Sequence, residues 1–70
     1  MRLSPERLDQ LERAVRDRRR VALSRRGSEF IVVAVAVRSN GRQDVLVGHL
    51  PMTGEELEFV LEEIDWFQVV

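Results

Sequence analysis

The sequence predicts a mostly β fold: one N-terminal helix followed by five short antiparallel strands, in a single domain spanning all 70 residues. Three observations point there. A capped stretch near the start carries apolar residues at helical spacing. At Val21 the period changes to alternation, and apolar runs then follow one another between glycine-containing turns. The closing segment, Trp66 to Val70, is rich in β-forming residues.

Ser4-Pro5-Glu6 is a helix start. The serine can cap free backbone amides, proline suits the first helical position, and the acid complements the positive end of the dipole. Leu3 and Leu8 are spaced as a hydrophobic staple. Leu8, Leu11, Ala14 and Val15 form one apolar stripe, while Asp9 with Arg13 and Glu12 with Arg16 are spaced for i, i+4 ion pairs. The helix is expected over residues 5–17, with Arg16 to Arg20 at its C-terminal end, where dipole and orphan carbonyls favour cations.

Strand one is expected over residues 20–25, where Val21 and Leu23 alternate with Ala22 and Ser24, and Arg25-Arg26-Gly27-Ser28 supplies a turn. Strand two, residues 29–38, is apolar at nearly every position. Ile31, Val33, Val35 and Val37 fall on one face and Phe30, Val32, Ala34 and Ala36 on the other, so both faces are expected to be covered. Asn40-Gly41 suits the positive φ values of a type I′ hairpin leading into strand three, residues 43–50, which Pro51 ends.

The following stretch admits two readings. Thr53-Gly54-Glu55-Glu56 looks like a capping box, with Leu57, Val60, Leu61 and Ile64 at helical spacing. That helix would make the fold α+β, a three-stranded antiparallel sheet with N- and C-terminal helices. Against it, Glu62, Glu63 and Asp65 would crowd the negative end of the dipole and Glu58 would repel Glu62, together about 1 kcal/mol. A strand over residues 56–61 instead sets Leu57, Phe59 and Leu61 on one face and Glu56, Glu58 and Glu62 on the other. A turn and a fifth strand, residues 65–70, complete this preferred reading.

The helix-plus-five-strand order resembles the Sm-like and SH3-like small barrels. A sharper likeness is local: Phe59-Val60-Leu61-Glu62-Glu63-Ile64-Asp65-Trp66-Phe67 resembles strand four, the 3₁₀ turn and strand five of the Rof family, small inhibitors of the terminator Rho. Leu11-Glu12-Arg13-Ala14 and then Val21-Ala22-Leu23 ahead of Gly27 are similar to that family's helix and first strand. The resemblance implies a five-stranded antiparallel barrel and an acidic surface that mimics nucleic acid to a basic partner, with Glu62 at a motif position.

All eleven basic residues are arginines within residues 1–42, giving that part +6, whereas residues 43–70 carry seven acids and only His49 as a potential cation. Such separation marks either a partner patch or an internal match between elements that meet in the fold. In Sm-like barrels the first strand pairs with the last, which would bring Arg18, Arg20, Arg25 and Arg26 near Glu62, Glu63 and Asp65 and help fix the register.

With no cysteine, disulfides and thiolate metal sites are excluded, and cytoplasmic placement is the expectation. Met1-Arg2-Leu3 opens no secretory apolar segment, and the run Phe30 to Val37 is too short to span a bilayer, so no membrane is expected. A single histidine, no thiol and no Gly-x-Ser-x-Gly elbow argue against catalysis, and no cofactor or metal site is expected. So small a core makes homo-oligomerisation plausible.

Two candidate surfaces remain. Arg16, Arg18, Arg19, Arg20, Arg25 and Arg26 form a candidate basic patch for phosphates, although Phe30, Phe59, Trp66 and Phe67 all lie in core-like patterns instead of base-stacking positions. Glu58, Glu62, Glu63, Asp65 and Trp66 form a candidate acidic or partner surface, Trp66 being placed to anchor an interface or to cover the fold's open end. The expected function is a small non-enzymatic, regulatory interaction module acting on a protein partner or on itself. An RNA-binding small barrel using the arginines is the alternative.

Overall fold

In a computed structural model, which describes residues 3–70, helix α1 (Pro5–Arg16) begins where Ser4 Oγ accepts a hydrogen bond from Arg7 N at 3.2 Å. The expectation placed on Met1 and Arg2 lies outside the described residues. Leu3 and Leu8 both pack against the core from either side of this cap. Asp9 and Arg13 form their ion pair, but Arg16 Nε turns to Asp17 Oδ1 at 3.6 Å instead of to Glu12. The helix closes with Arg19 N donating to Ala14 O at 2.8 Å and Arg18 N to Val15 O at 3.2 Å, a Schellman pair that puts Arg18 at φ 53°.

The remaining elements are β1 (Arg20–Arg25), β2 (Ser28–Ser39), β3 (Asp44–His49), β4 (Glu56–Val60), a 3₁₀ turn (Leu61–Glu63) and β5 (Ile64–Val69). They form one antiparallel five-stranded sheet in the order β4-β3-β2-β1-β5 among the described residues. The fold is mostly β, and the helical alternative for residues 54–64 does not form. Thr53 Oγ1 accepts from Glu55 N, and Leu50 N donates to Glu55 O, so the stretch that looks like a capping box folds as a turn feeding β4.

The hairpin expectations change places. Arg26 and Gly27, at φ 50° and 83°, are the two central residues of the tight β1–β2 turn, as a type I′ geometry requires. At residues 40–43 the chain makes a four-residue loop, because Asn40 Oδ1 accepts from Arg42 N and Gln43 N and so supplies the turn's missing acceptor itself.

Two β-bulges shape the sheet. In β2 the register with β3 slips between Ala34 and Ala36, leaving Val35 as the extra residue. Alternation therefore breaks: Val37 joins Phe30, Val32 and Ala34 on the core side, and Ile31 on the opposite face is 54% exposed. Both faces of β2 are thus not covered throughout. In β5 the register with β1 slips between Ser24 and Arg25, leaving Asp65 as the extra residue.

The core lies between α1 and one face of this sheet, built from Leu11, Ala14, Val21, Leu23, Val32, Leu46, Phe59, Leu61, Ile64 and Phe67. β1 pairs with β5, the last strand. β4 and β5 remain the two edges, with no ladder joining them among the described residues, so the sheet is not closed into a barrel. The reason is local: three residues of 3₁₀ turn separate these strands, and each has its partner on the far side, β3 for β4 and β1 for β5.

Candidate functional site

The expected basic patch is two groups, not one. Arg20 and Arg25 occupy opposite ends of six-residue β1, about 16 Å apart at strand rise. Arg16, Arg18, Arg19 and Arg20 gather at the C-terminal end of α1, and Arg25 and Arg26 at the β1–β2 turn.

Three of these six guanidinium groups donate to main-chain carbonyls. Arg18 donates to Val35 O at the β2 bulge (2.7 Å), Arg19 to Val70 O (2.9 Å) and Arg25 to Glu58 O on edge strand β4 (3.2 Å). Arg7 donates to Phe67 O on edge strand β5 at 2.7 Å and lies 4.0 Å over the Phe67 ring. Arg25 similarly sits 5.2 Å from the Phe30 ring and 4.9 Å from that of Phe59, and the two rings meet edge to face. Each cation over an aromatic face contributes about 0.5–1 kcal/mol where exposed and more as water is excluded. Arginine is thus used here to cap strand carbonyls and clamp aromatics.

Of the expected acid partnerships, that of Arg26 forms among the described residues, meeting Glu63 Oε2 at 2.9 Å. Being largely solvent-exposed, that pair contributes at most about 1 kcal/mol. Asp65, the bulge residue, instead takes hydrogen bonds from Ser24 Oγ at 3.0 Å and Gly27 N at 3.1 Å. These donors, the Gly27 amide first and the Ser24 hydroxyl second, hold the Asp65 carboxyl below the ordinary aspartate value.

The β1–β2 turn therefore draws Glu63 and Asp65 into one acidic rim, while Glu58 meets it only through its main-chain carbonyl, which accepts from Arg25. Glu62 lies elsewhere, lining a cleft with Leu3, Leu8 and Arg42. Trp66 stands beside the rim on the sheet face opposite the core, paired with Ser24, and is 43% exposed, so it lies outside the core. On the same face Ser24 pairs with Glu29 and Ala22 with Ile31, which gives neighbouring rows Glu29-Ser24-Trp66 and Ile31-Ala22-Gln68. An indole and an exposed isoleucine thus share a face edged by carboxylates.

Two participants escaped the sequence reading. Arg7 follows the Leu11 and Ala14 spacing at i+4 and i+7, a signal that could have placed it against the core. Ile31 carried no such signal, since continuous apolar sequence in β2 hides which face is exposed.

His49, half-buried, pairs across the sheet with Val33 and Glu56. Among the described residues, no three His, Asp or Glu side chains are grouped to hold a metal ion, and no helix is long and apolar enough to cross a membrane. Neither a protein-family model nor a curated protein matches the chain.

Proposed function

We propose that this chain is a cytoplasmic, non-enzymatic interaction module that docks a protein partner with basic surface residues on the face carrying Trp66, Ile31 and the acidic rim. The observation that carries the reading is Trp66: a large aromatic left 43% exposed directly after the β5 bulge at Asp65, on the sheet face that also carries Ile31, 54% exposed and two strands away. Burying an indole at an interface gives large contact area for little lost conformational freedom, and surrounding carboxylates select cationic partners. The arginines support RNA binding less well, because Arg18, Arg19 and Arg25 already donate to carbonyls and the exposed tryptophan lies among acids.

The Sm-like and SH3-like reading of the fold, and the likeness to Rof inhibitors, belong with this proposal. What supports them is the pairing of β1 with β5, the 3₁₀ turn between β4 and β5, and the acids flanking that turn. The test is retention of protein from nuclease-treated lysate by immobilised wild type. Trp66→Ala combined with Glu63→Gln should abolish retention while the melting temperature stays within a few degrees, whereas Arg16→Gln with Arg20→Gln should leave it intact. Retained material that disappears with nuclease, or that is lost only in the arginine variant, contradicts the proposal and favours the RNA reading.

A further inference from the structure

Between α1 and the free edge of β5 runs a groove of about 380 Å³, lined by Arg7, Arg13, Arg19, Asp17, Gln68 and Val69 among others. Its long wall is a strand edge. Val70 N donates to Arg20 O, so in the antiparallel ladder Gln68 and Trp66 also turn their main-chain groups to β1, and those of Phe67 and Val69 point outward. Phe67 O is capped by Arg7. The Phe67 and Val69 amides lie outside the β1 ladder and meet no acceptor among the described residues. Three arginines face one acid along this lining, on a chain whose net charge is −1.

We infer that this groove binds an extended acidic peptide, added as a sixth strand along β5, with its carboxylates directed first at the exposed Arg13 and competing with Phe67 O and Val70 O for Arg7 and Arg19. Strand addition supplies main-chain hydrogen bonds, and side chains on one face of the added strand meet the helix, where the guanidinium groups are. Carboxylates there form charge-assisted hydrogen bonds. The site is on the edge of β5, independent of the solvent-face rim around Trp66.

A fluorescein-labelled peptide of alternating glutamate and valine serves as probe, read by anisotropy against full-length protein. Saturable binding is expected, weakened about tenfold by Arg13→Gln, as loss of one charge-assisted contact implies, and weakened further by raised salt. Arg13 is exposed, so the variant should melt like wild type. N-methylation of alternate peptide amides, which blocks strand pairing but keeps the charge, should abolish binding. Equal affinity for a lysine–valine peptide, undiminished binding of the N-methylated peptide, or no saturation at millimolar probe overturns the inference. Concentration-dependent dimerisation by light scattering that Arg13→Gln removes overturns it in favour of a second copy at this edge.

Discussion

Asp65 shows how one residue can join local geometry to tertiary structure. As the extra residue of a bulge, its side chain turns toward the β1–β2 turn and accepts from both Ser24 Oγ and Gly27 N. Both bonds favour the ionised carboxylate, which lowers the folded-state pKa below the ordinary aspartate value. A depressed folded pKa stabilises the fold above the unfolded value, and that contribution is lost as pH falls through the folded one. Asp65→Asn keeps an acceptor oxygen but removes the charge. Wild type should therefore melt above Asp65→Asn at neutral pH, the difference closing as pH drops below about 4. Thermal melts across pH check this, and a difference that stays constant down to about pH 2 contradicts it.

At the scale of elements, close approach decides how β2 and β3 nest. A Cβ on Gly48 would stand 2.7 Å from Val32 Cγ2, 2.9 Å from Val32 Cβ and 3.1 Å from Val33 O, two of them below any real separation. Gly48→Ala should destabilise by about 1–3 kcal/mol through overpacking. Val32→Ala in the same chain should recover part of the loss, because the nearest clashing atom, Cγ2, goes with it while Cβ stays. Chemical denaturation measures both, and a double variant no more stable than Gly48→Ala alone contradicts the packing account. Legibility in the sequence follows the same physics. The helix start was readable from Ser4-Pro5 and the β1 faces from Val21 and Leu23, since each depends on neighbouring residues. The bulges at Val35 and Asp65 were not readable, because they arise from register between strands distant in sequence. Asn40-Gly41 misled for a related reason: its composition allows a type I′ turn, but the asparagine side chain satisfies the loop amides directly.

Across the whole molecule, the charge split takes on a specific meaning. Among the described residues, arginines from the first part of the chain reach carbonyls on β4, β5 and Val70, and Arg26 forms an ion pair with Glu63 of the 3₁₀ turn. Donors on carbonyls thus contribute much of what joins the two parts. The candidate site was legible in part. Glu63, Asp65 and Trp66 are neighbours in sequence, whereas the placement of Ile31 on the face that carries Trp66 depends on the sheet order and register. Trp66 is the only tryptophan, so its emission reports the proposed docking face without a label. The most direct measurement is that emission during titration with the protein retained from nuclease-treated lysate, and in parallel with single-stranded RNA at low salt. The account predicts a blue shift that saturates with the protein partner and no change with RNA. A spectrum unmoved by the partner, or shifted by RNA, would contradict it.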